Sequence, residues 1–283
     1  MLYFHKLSLP FFAAALCLLL ATVSCTSGPP SAPMGSPAFY WKAANETYAA
    51  GDFTKAARNL EDLVKKESEF TARAQPWRLV VTAGLAKGYA ELANNFEFGA
   101  RANKTNPTPF RTQLANYRRS AGQYALQYAE TFLAFEKHDH TQPVPLAFPF
   151  PTANPAKVTD LDKIANGILL PDAQMPPIEK RVLSRAVVMA AAAAVGAGED
   201  VAMAQQTLGD AGGQIDHDVF ALCLAQTFYD LSWIFSRDKL NLPDRVELFC
   251  SKGLDAVKSI KQETKESKKI ASDLEKMLKS VKK

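Results

Sequence analysis

The chain of 283 residues predicts an all-α fold, and three observations support that prediction. Apolar residues recur at helical spacing from Thr108 to about Glu136, as on one face of a long amphipathic helix. Capping residues followed by proline mark helix starts at Ser36-Pro37 and Thr108-Pro109. The run 187–195 is apolar on every side, which is typical of a helix buried in a protein interior.

Residues 1–24 have the organisation of a secretory signal peptide. Lys6 precedes an apolar run from Leu7 to Leu20, and the small residue Ser24 directly precedes Cys25. Because a cysteine follows the small residue, the segment from Ala21 to Cys25 resembles the lipobox of bacterial lipoproteins. The resemblance implies cleavage before Cys25 and lipidation of its thiol.

Lipidation would anchor the protein to a membrane facing the periplasm. Thr26 follows the cysteine in place of an aspartate, which by the same resemblance favours the outer membrane. Two alternatives stay open, because ordinary cleavage after Ser24 would leave a soluble secreted protein and an uncleaved segment would leave a tethered one. We expect four segments: a signal peptide at 1–24, a flexible tether at 25–35, a helical domain at 36–262 with a Pro-rich loop at 138–158, and a Lys-rich C-terminal helix at 263–283.

The start of the helical domain predicts a helix hairpin. Ser36-Pro37 begins the first helix, Gly51 ends it, and Asp52 caps the second. A set of small and aromatic residues in this hairpin resembles a tetratricopeptide (TPR) repeat: Tyr40, Ala43, Ala44, Tyr48, Gly51, Asp52, Phe53, Ala56 and Leu60. The resemblance implies a TPR-like stack of antiparallel helix hairpins, in which 108–136 would be a long central helix.

Further helices follow from the same start and stop signals. We expect a helix that begins at Pro76 and breaks at Asn94-Asn95, and a short helix within 159–170. Later helices are predicted at 178–195, 199–208 and 216–235, with a partner that starts at Pro243.

Two sets of aromatic residues are candidates for binding a partner. Tyr117, Tyr124 and Tyr128 lie near helical spacing, which fits either a binding surface or, as we favour, a core seam between helices. Phe148 and Phe150 lie in the Pro-rich loop, whose length without secondary structure favours a role. That loop could pack as a strap along the helical stack, or its phenylalanines could contact a partner.

Several kinds of chemistry are not predicted. The sequence contains no common motif of nucleophilic, zinc-dependent or phosphate-binding enzymes, so we expect neither an enzyme nor a cofactor. His138 and His140 have metal-type side chains but no further ligands nearby, so no metal site is expected. Cys223 and Cys250 are expected to be free thiols, because a hairpin between them would place them out of register.

The formal net charge of +4 comes from the lysine-rich C-terminal segment, which leaves the rest nearly neutral. This gives no reason to expect a nucleic-acid partner. We therefore predict a lipid-anchored scaffold or adaptor of the cell envelope that binds a protein or peptide on an open helical surface. The alternative is a small-molecule-binding lipoprotein of a periplasmic transport system, with a closed cavity near Tyr117, Tyr124, Tyr128 and Trp233.

Overall fold

A computed structural model describes residues 32–137, 143–146 and 157–281. Most of these residues are helical, which confirms the all-α prediction. The helices are α1 (Pro37–Ala49), α2 (Phe53–Val64), α3 (Thr71–Ala102), α4 (Thr108–Phe135), α5 (Asp160–Ala165), α6 (Met175–Ala194), α7 (Val201–Asp210), α8 (His217–Ser232), α9 (Pro243–Lys258) and α10 (Lys265–Val281). Short 3-10 helices span Asp172–Gln174 and Trp233–Phe235, and the strands are β1 (Val144–Pro145) and β2 (Gln214–Ile215).

The first hairpin forms with the predicted boundaries. The Ser36 hydroxyl accepts a hydrogen bond from the Phe39 amide at 3.2 Å, and the Asp52 carboxylate accepts one from the Lys55 amide at 3.2 Å. These bonds satisfy amides that a helix N-terminus otherwise leaves unpaired. Gly51 makes the turn with φ +69°, a conformation that glycine adopts without steric cost.

Helix α3 is continuous from Thr71 to Ala102, so the predicted start at Pro76 and break at Asn94-Asn95 are wrong. Pro76 lies in the second turn, where its ring removes one helical hydrogen bond. The Asn95 side chain donates to the Glu91 carbonyl at 2.8 Å and so stays within the helix. All residues from Gln75 to Ala86 are buried, which compensates for Pro76, whereas Asn94 is exposed and Asn95 is half-buried.

The central helix of the fold is α3 rather than α4. Helix α4 forms over the predicted range, but α3 packs against α2, α4, α5 and α6. Its side chains from Gln75 to Ala86 are all buried. Trp77, at the start of this stretch, contacts the ring of Tyr48 in α1 with centroids 4.9 Å apart. The first hairpin therefore docks on the N-terminal half of α3.

Helices α3 and α6 touch through their backbones. A Cβ atom placed on Gly84 would lie 2.5 Å from the Cα atom of Val187. The run 187–195 that is apolar on all sides lies at this contact, and Val187 and Val188 are fully buried as predicted. Glycine at position 84 is what permits this separation.

The last three helices, α8, α9 and α10, form a bundle with Phe228 at its centre. The strands β1 and β2 pair antiparallel, with Val144 opposite Ile215. The Leu146 amide donates to the Gly213 carbonyl at 2.7 Å. This pairing holds residues 143–146 of the Pro-rich segment against the turn that precedes α8.

Within the described ranges, no helix has both the length and the hydropathy that a membrane crossing requires. Cys223 and Cys250 carry free thiols, as predicted. Burial raises the pKa of the Cys250 thiol to about 11, which keeps that thiol protonated at neutral pH.

Candidate functional site

Tyr128, one of the three candidate tyrosines, lies in the interior. Its side chain is 1% exposed, and its hydroxyl donates to the Leu224 carbonyl of α8 at 3.2 Å. Its ring meets Phe228 edge to face, with centroids 4.9 Å apart. Tyr128 therefore joins α4 to α8 and leaves no surface for a partner in this structure.

Tyr117 and Tyr124 both stack on Tyr89 of α3. The ring centroids are 6.1 Å apart for Tyr117 and 5.6 Å for Tyr124. The hydroxyls of Tyr89 and Tyr117 donate to the two oxygens of the Glu179 carboxylate, at 3.1 and 3.2 Å. Burial, and then the negative charge of Glu179, raise the pKa of both phenols. Glu179 thus fixes α6 to α3 and α4.

Glu179 also faces a surface recess of about 420 Å³, which we call the Glu179 recess. Its apolar lining comes from Phe53, Met175 and Leu183, and Asp52 and Asp172 add two carboxylates. Asp52 pairs with Lys55 at 2.7 Å, so Asp172 and Glu179 leave the lining with a small negative excess over Lys180, which is suited to a cation. Trp233, which the small-molecule alternative placed near the tyrosines, lies 53% exposed at the end of α8 and contacts Tyr229.

A larger open groove of about 800 Å³ runs along the outer side of α4 and is called the α4 groove. One helical stripe of α4 lines it: Arg111, Leu114, Ala115, Arg118, Arg119, Gly122, Gln123, Leu126, Gln127 and Glu130. The other lining residues are Glu61 of α2 and Phe235, Lys239, Leu240 and Leu242 of the α8–α9 connection. The groove volume lies within the range of ligand pockets, about 300–1,000 Å³.

The groove has a basic half. The Glu97 carboxylate, on α3, accepts from Arg118 at 2.9 Å and from Lys239 at 2.7 Å, and also pairs with Arg101. Burial alone would raise the pKa of Glu97, but Lys239, Arg118 and Arg101 together outweigh burial and lower it. Lys239 donates as well to the Asn94 side chain at 2.8 Å. Three cations thus surround one carboxylate.

The other half of the groove is acidic. Glu130 is exposed and Glu61 is half-buried, and within the described residues neither forms a hydrogen bond or an ion pair. Both carboxylates lie within electrostatic range of Arg78, whose side chain in α3 is 7% exposed. Burial lowers the pKa of the Arg78 guanidinium, although Glu61 and Glu130 act in the opposite direction. One buried cation therefore faces two carboxylates.

Between these halves the lining is apolar except for Gln123 and Gln127. Leu240 lies over Gly122, where an added Cβ would meet the Leu240 Cδ1 atom at 3.0 Å. Phe235 is buried below, and Leu126 and Leu242 are partly exposed along the same lining. This middle section is therefore formed by the stripe of α4 and the α8–α9 connection. It also depends on the absence of a side chain at Gly122.

The α4 groove was not predicted from the sequence. The aromatic stripe of α4, a candidate for either a binding surface or a core seam, packs inward. The groove lies on the polar stripe of the same helix, which is typical of a solvated face. The only sequence signal was Gly122 within that stripe, since a glycine inside a helix often marks close packing.

The remaining candidate residues, Cys25, Phe148, Phe150, His138 and His140, lie outside the described residues. Among the residues that are described, no group of three or more His, Cys, Asp or Glu side chains is arranged to hold a metal ion. No family model matches the chain, and comparisons with curated proteins and with solved structures find no match either.

Proposed function

We propose that the protein is a lipid-anchored adaptor of the cell envelope that binds an extended segment of a partner protein in the α4 groove. The observation that carries this proposal is the groove itself, with an open apolar middle section between two charged halves. Extended segments bind such grooves through apolar anchors, while charges at the ends select the partner and its orientation.

The sequence supports the same function in two ways. The segment that ends at Cys25 resembles a lipobox, which would place the domain at a membrane surface in the periplasm, most simply at the outer membrane. The hairpin of α1 and α2 resembles a TPR repeat, and repeat domains of that kind bind proteins. The first resemblance supports the location and the second supports a binding role.

Site-specific photocrosslinking in cells tests groove binding. We expect a photoreactive benzoyl-phenylalanine in place of Gln123 to capture a protein, because Gln123 is exposed within the α4 groove. The same group in place of Gln205, exposed on α7, is the matched control and should capture nothing specific. Crosslinked bands are detected by immunoblotting and identified by mass spectrometry. If positions 123 and 205 give the same bands, the groove is not a partner site.

Small-molecule binding remains a second candidate function, favoured by the Glu179 recess. Gln113 lies on α4 like Gln123 but lines the recess instead. A crosslinker at position 113 that captures a protein while one at 123 does not would move the partner site to the recess. Capture at neither position would favour the small-molecule candidate. Its ligand would be a cation, because Asp52 already pairs with Lys55 and the lining then carries two carboxylates against Lys180.

Substitution Cys25→Ala tests the anchor. We expect the wild-type protein in the membrane pellet, with an intact mass that starts at Cys25 and includes lipid. The variant lacks the thiol that is acylated, so we expect it to lose the lipid and to leave the pellet unless its signal segment stays uncleaved. Cys223→Ala is the matched control and should fractionate like the wild type. A wild-type protein cleaved after Ser24 without lipid would contradict the anchor.

A further inference from the structure

We propose, on the basis of the proposed groove function, that the α4 groove selects a segment with opposite charges at its two ends. Such a segment would carry Asp or Glu side chains at one end, apolar side chains in the middle, and Lys or Arg side chains at the other end. The division of charge along α4 leads to this chemistry.

In the basic half, positive side chains outnumber negative ones. Arg111 and Arg119 are exposed, and neither forms an ion pair with another described residue. Arg118 and Lys239 share the single carboxylate of Glu97 with Arg101, so that cluster also keeps a positive excess. A carboxylate of a bound segment would meet guanidinium groups here, which suit carboxylates because they donate two parallel hydrogen bonds.

The acidic half has the reverse excess. Glu61 and Glu130 line this half, whereas the two cations within electrostatic range of them, the buried Arg78 and Lys65, do not line the groove. A lysine or arginine of a bound segment could therefore pair with Glu130 at the surface without displacing an existing ion pair. A segment with the same charge at both ends would be repelled at one half of the groove. The groove therefore selects against such segments as well as for segments with opposite charges at their ends.

The dimensions of the groove set the length of the segment. Arg111 and Glu130 lie on the same helix, and their separation in sequence corresponds to about 28 Å along its axis. An extended chain of about eight or nine residues spans that distance. The lining at Leu126, Leu240 and Leu242 lies between the charged ends, and it would receive the apolar side chains.

Fluorescence anisotropy with labelled synthetic peptides tests the proposal on the domain without its signal peptide. The test peptide has nine residues, with two aspartates, five alanine and leucine residues, and two lysines in that order. The control peptide has the same composition with aspartates and lysines interleaved. We expect the test peptide to bind about fivefold tighter or better at low salt, since several exposed ion pairs each contribute modestly, and this advantage to shrink at 0.5 M salt.

Charge reversals in the protein provide the second measurement. Arg119→Glu and Glu130→Lys should each weaken binding of the test peptide several-fold, and Glu130→Lys should improve binding of a peptide with aspartates at both ends. Lys269→Glu and Glu199→Lys reverse exposed charges on α10 and before α7, and should leave both affinities unchanged. Far-ultraviolet circular dichroism checks that each variant folds.

The outcomes separate the two proposals. Equal affinities for the test and interleaved peptides, or insensitivity to both groove reversals, would overturn the charge selection. If a partner is nevertheless captured through position 123, the groove function stands and only its selectivity is wrong. If position 123 captures no partner but the test peptide still binds more tightly than the interleaved peptide, the charge selectivity stands and the adaptor function is wrong.

Discussion

Substitution of Trp77 by alanine is expected to lower the free energy of unfolding by about 3–5 kcal/mol, the usual cost of removing a buried aromatic side chain. Trp77 is 0% exposed and lies where α3 meets the first hairpin. The small side chain would leave a cavity that the surrounding helices can close only in part. Urea unfolding monitored by circular dichroism at neutral pH measures the change.

Trp233→Ala is the matched control for that experiment. The same side chain is removed at a position that is 53% exposed at the end of α8, so the expected loss is below about 1 kcal/mol. The Trp77 variant should also unfold at a lower temperature than the control. Similar losses in the two variants would show that α3 is not the centre of the core.

Gly84→Ala is expected to destabilise the protein by about 1–3 kcal/mol or more, although alanine is the better helix former by up to about 1 kcal/mol. The added methyl group would lie 2.5 Å from the Val187 Cα atom, and a backbone atom cannot move aside alone. Helix α6 would have to shift away from α3 along its length. Thermal and urea unfolding of the purified domain measure the loss.

Gly209→Ala is the control, for which the expected change in stability has the opposite sign. Nothing lies within 4 Å of a Cβ atom at that position in α7, so alanine should be neutral or stabilising by up to about 1 kcal/mol. Gly88→Ala is an intermediate case, because its methyl group would first meet the mobile end of the Leu183 side chain at 2.9 Å. A stabilised Gly84 variant would contradict the backbone contact between α3 and α6.

Features that depend on neighbouring residues could be predicted from the sequence. Ser36 and Asp52 cap helices because their side chains reach amides three residues further on, so local chemistry sets these boundaries. The prediction for α3 failed for the opposite reason. Pro76 disfavours a helix locally, but burial of this part of α3 against other helices outweighs that cost, and the burial cannot be predicted from the surrounding residues. Asn94-Asn95 lies on a more exposed part of α3, where the Asn95 side chain bonds to the helix backbone instead of ending the helix.

The α4 groove illustrates the same limit for a functional site. Arg111, Arg119 and Glu130 look like an ordinary solvated helix face in the sequence. The groove is bordered by Leu240, which packs over Gly122, and by Glu61 of α2. These residues come from segments far apart in the chain. Helical spacing identified which residues share a face of α4, but not which distant segments border that face.

The contact between Gly84 and Val187 has a consequence for the order of folding. Helices α1, α2 and α3 each pack against the next helix in the chain, and such local contacts form quickly. The α3–α6 seam joins segments separated by α4, α5 and the Pro-rich segment, so its formation must close a long loop first. Its closure is therefore expected late, after the neighbouring hairpins are in place, and the step depends on a surface of α3 that carries no side chain at position 84.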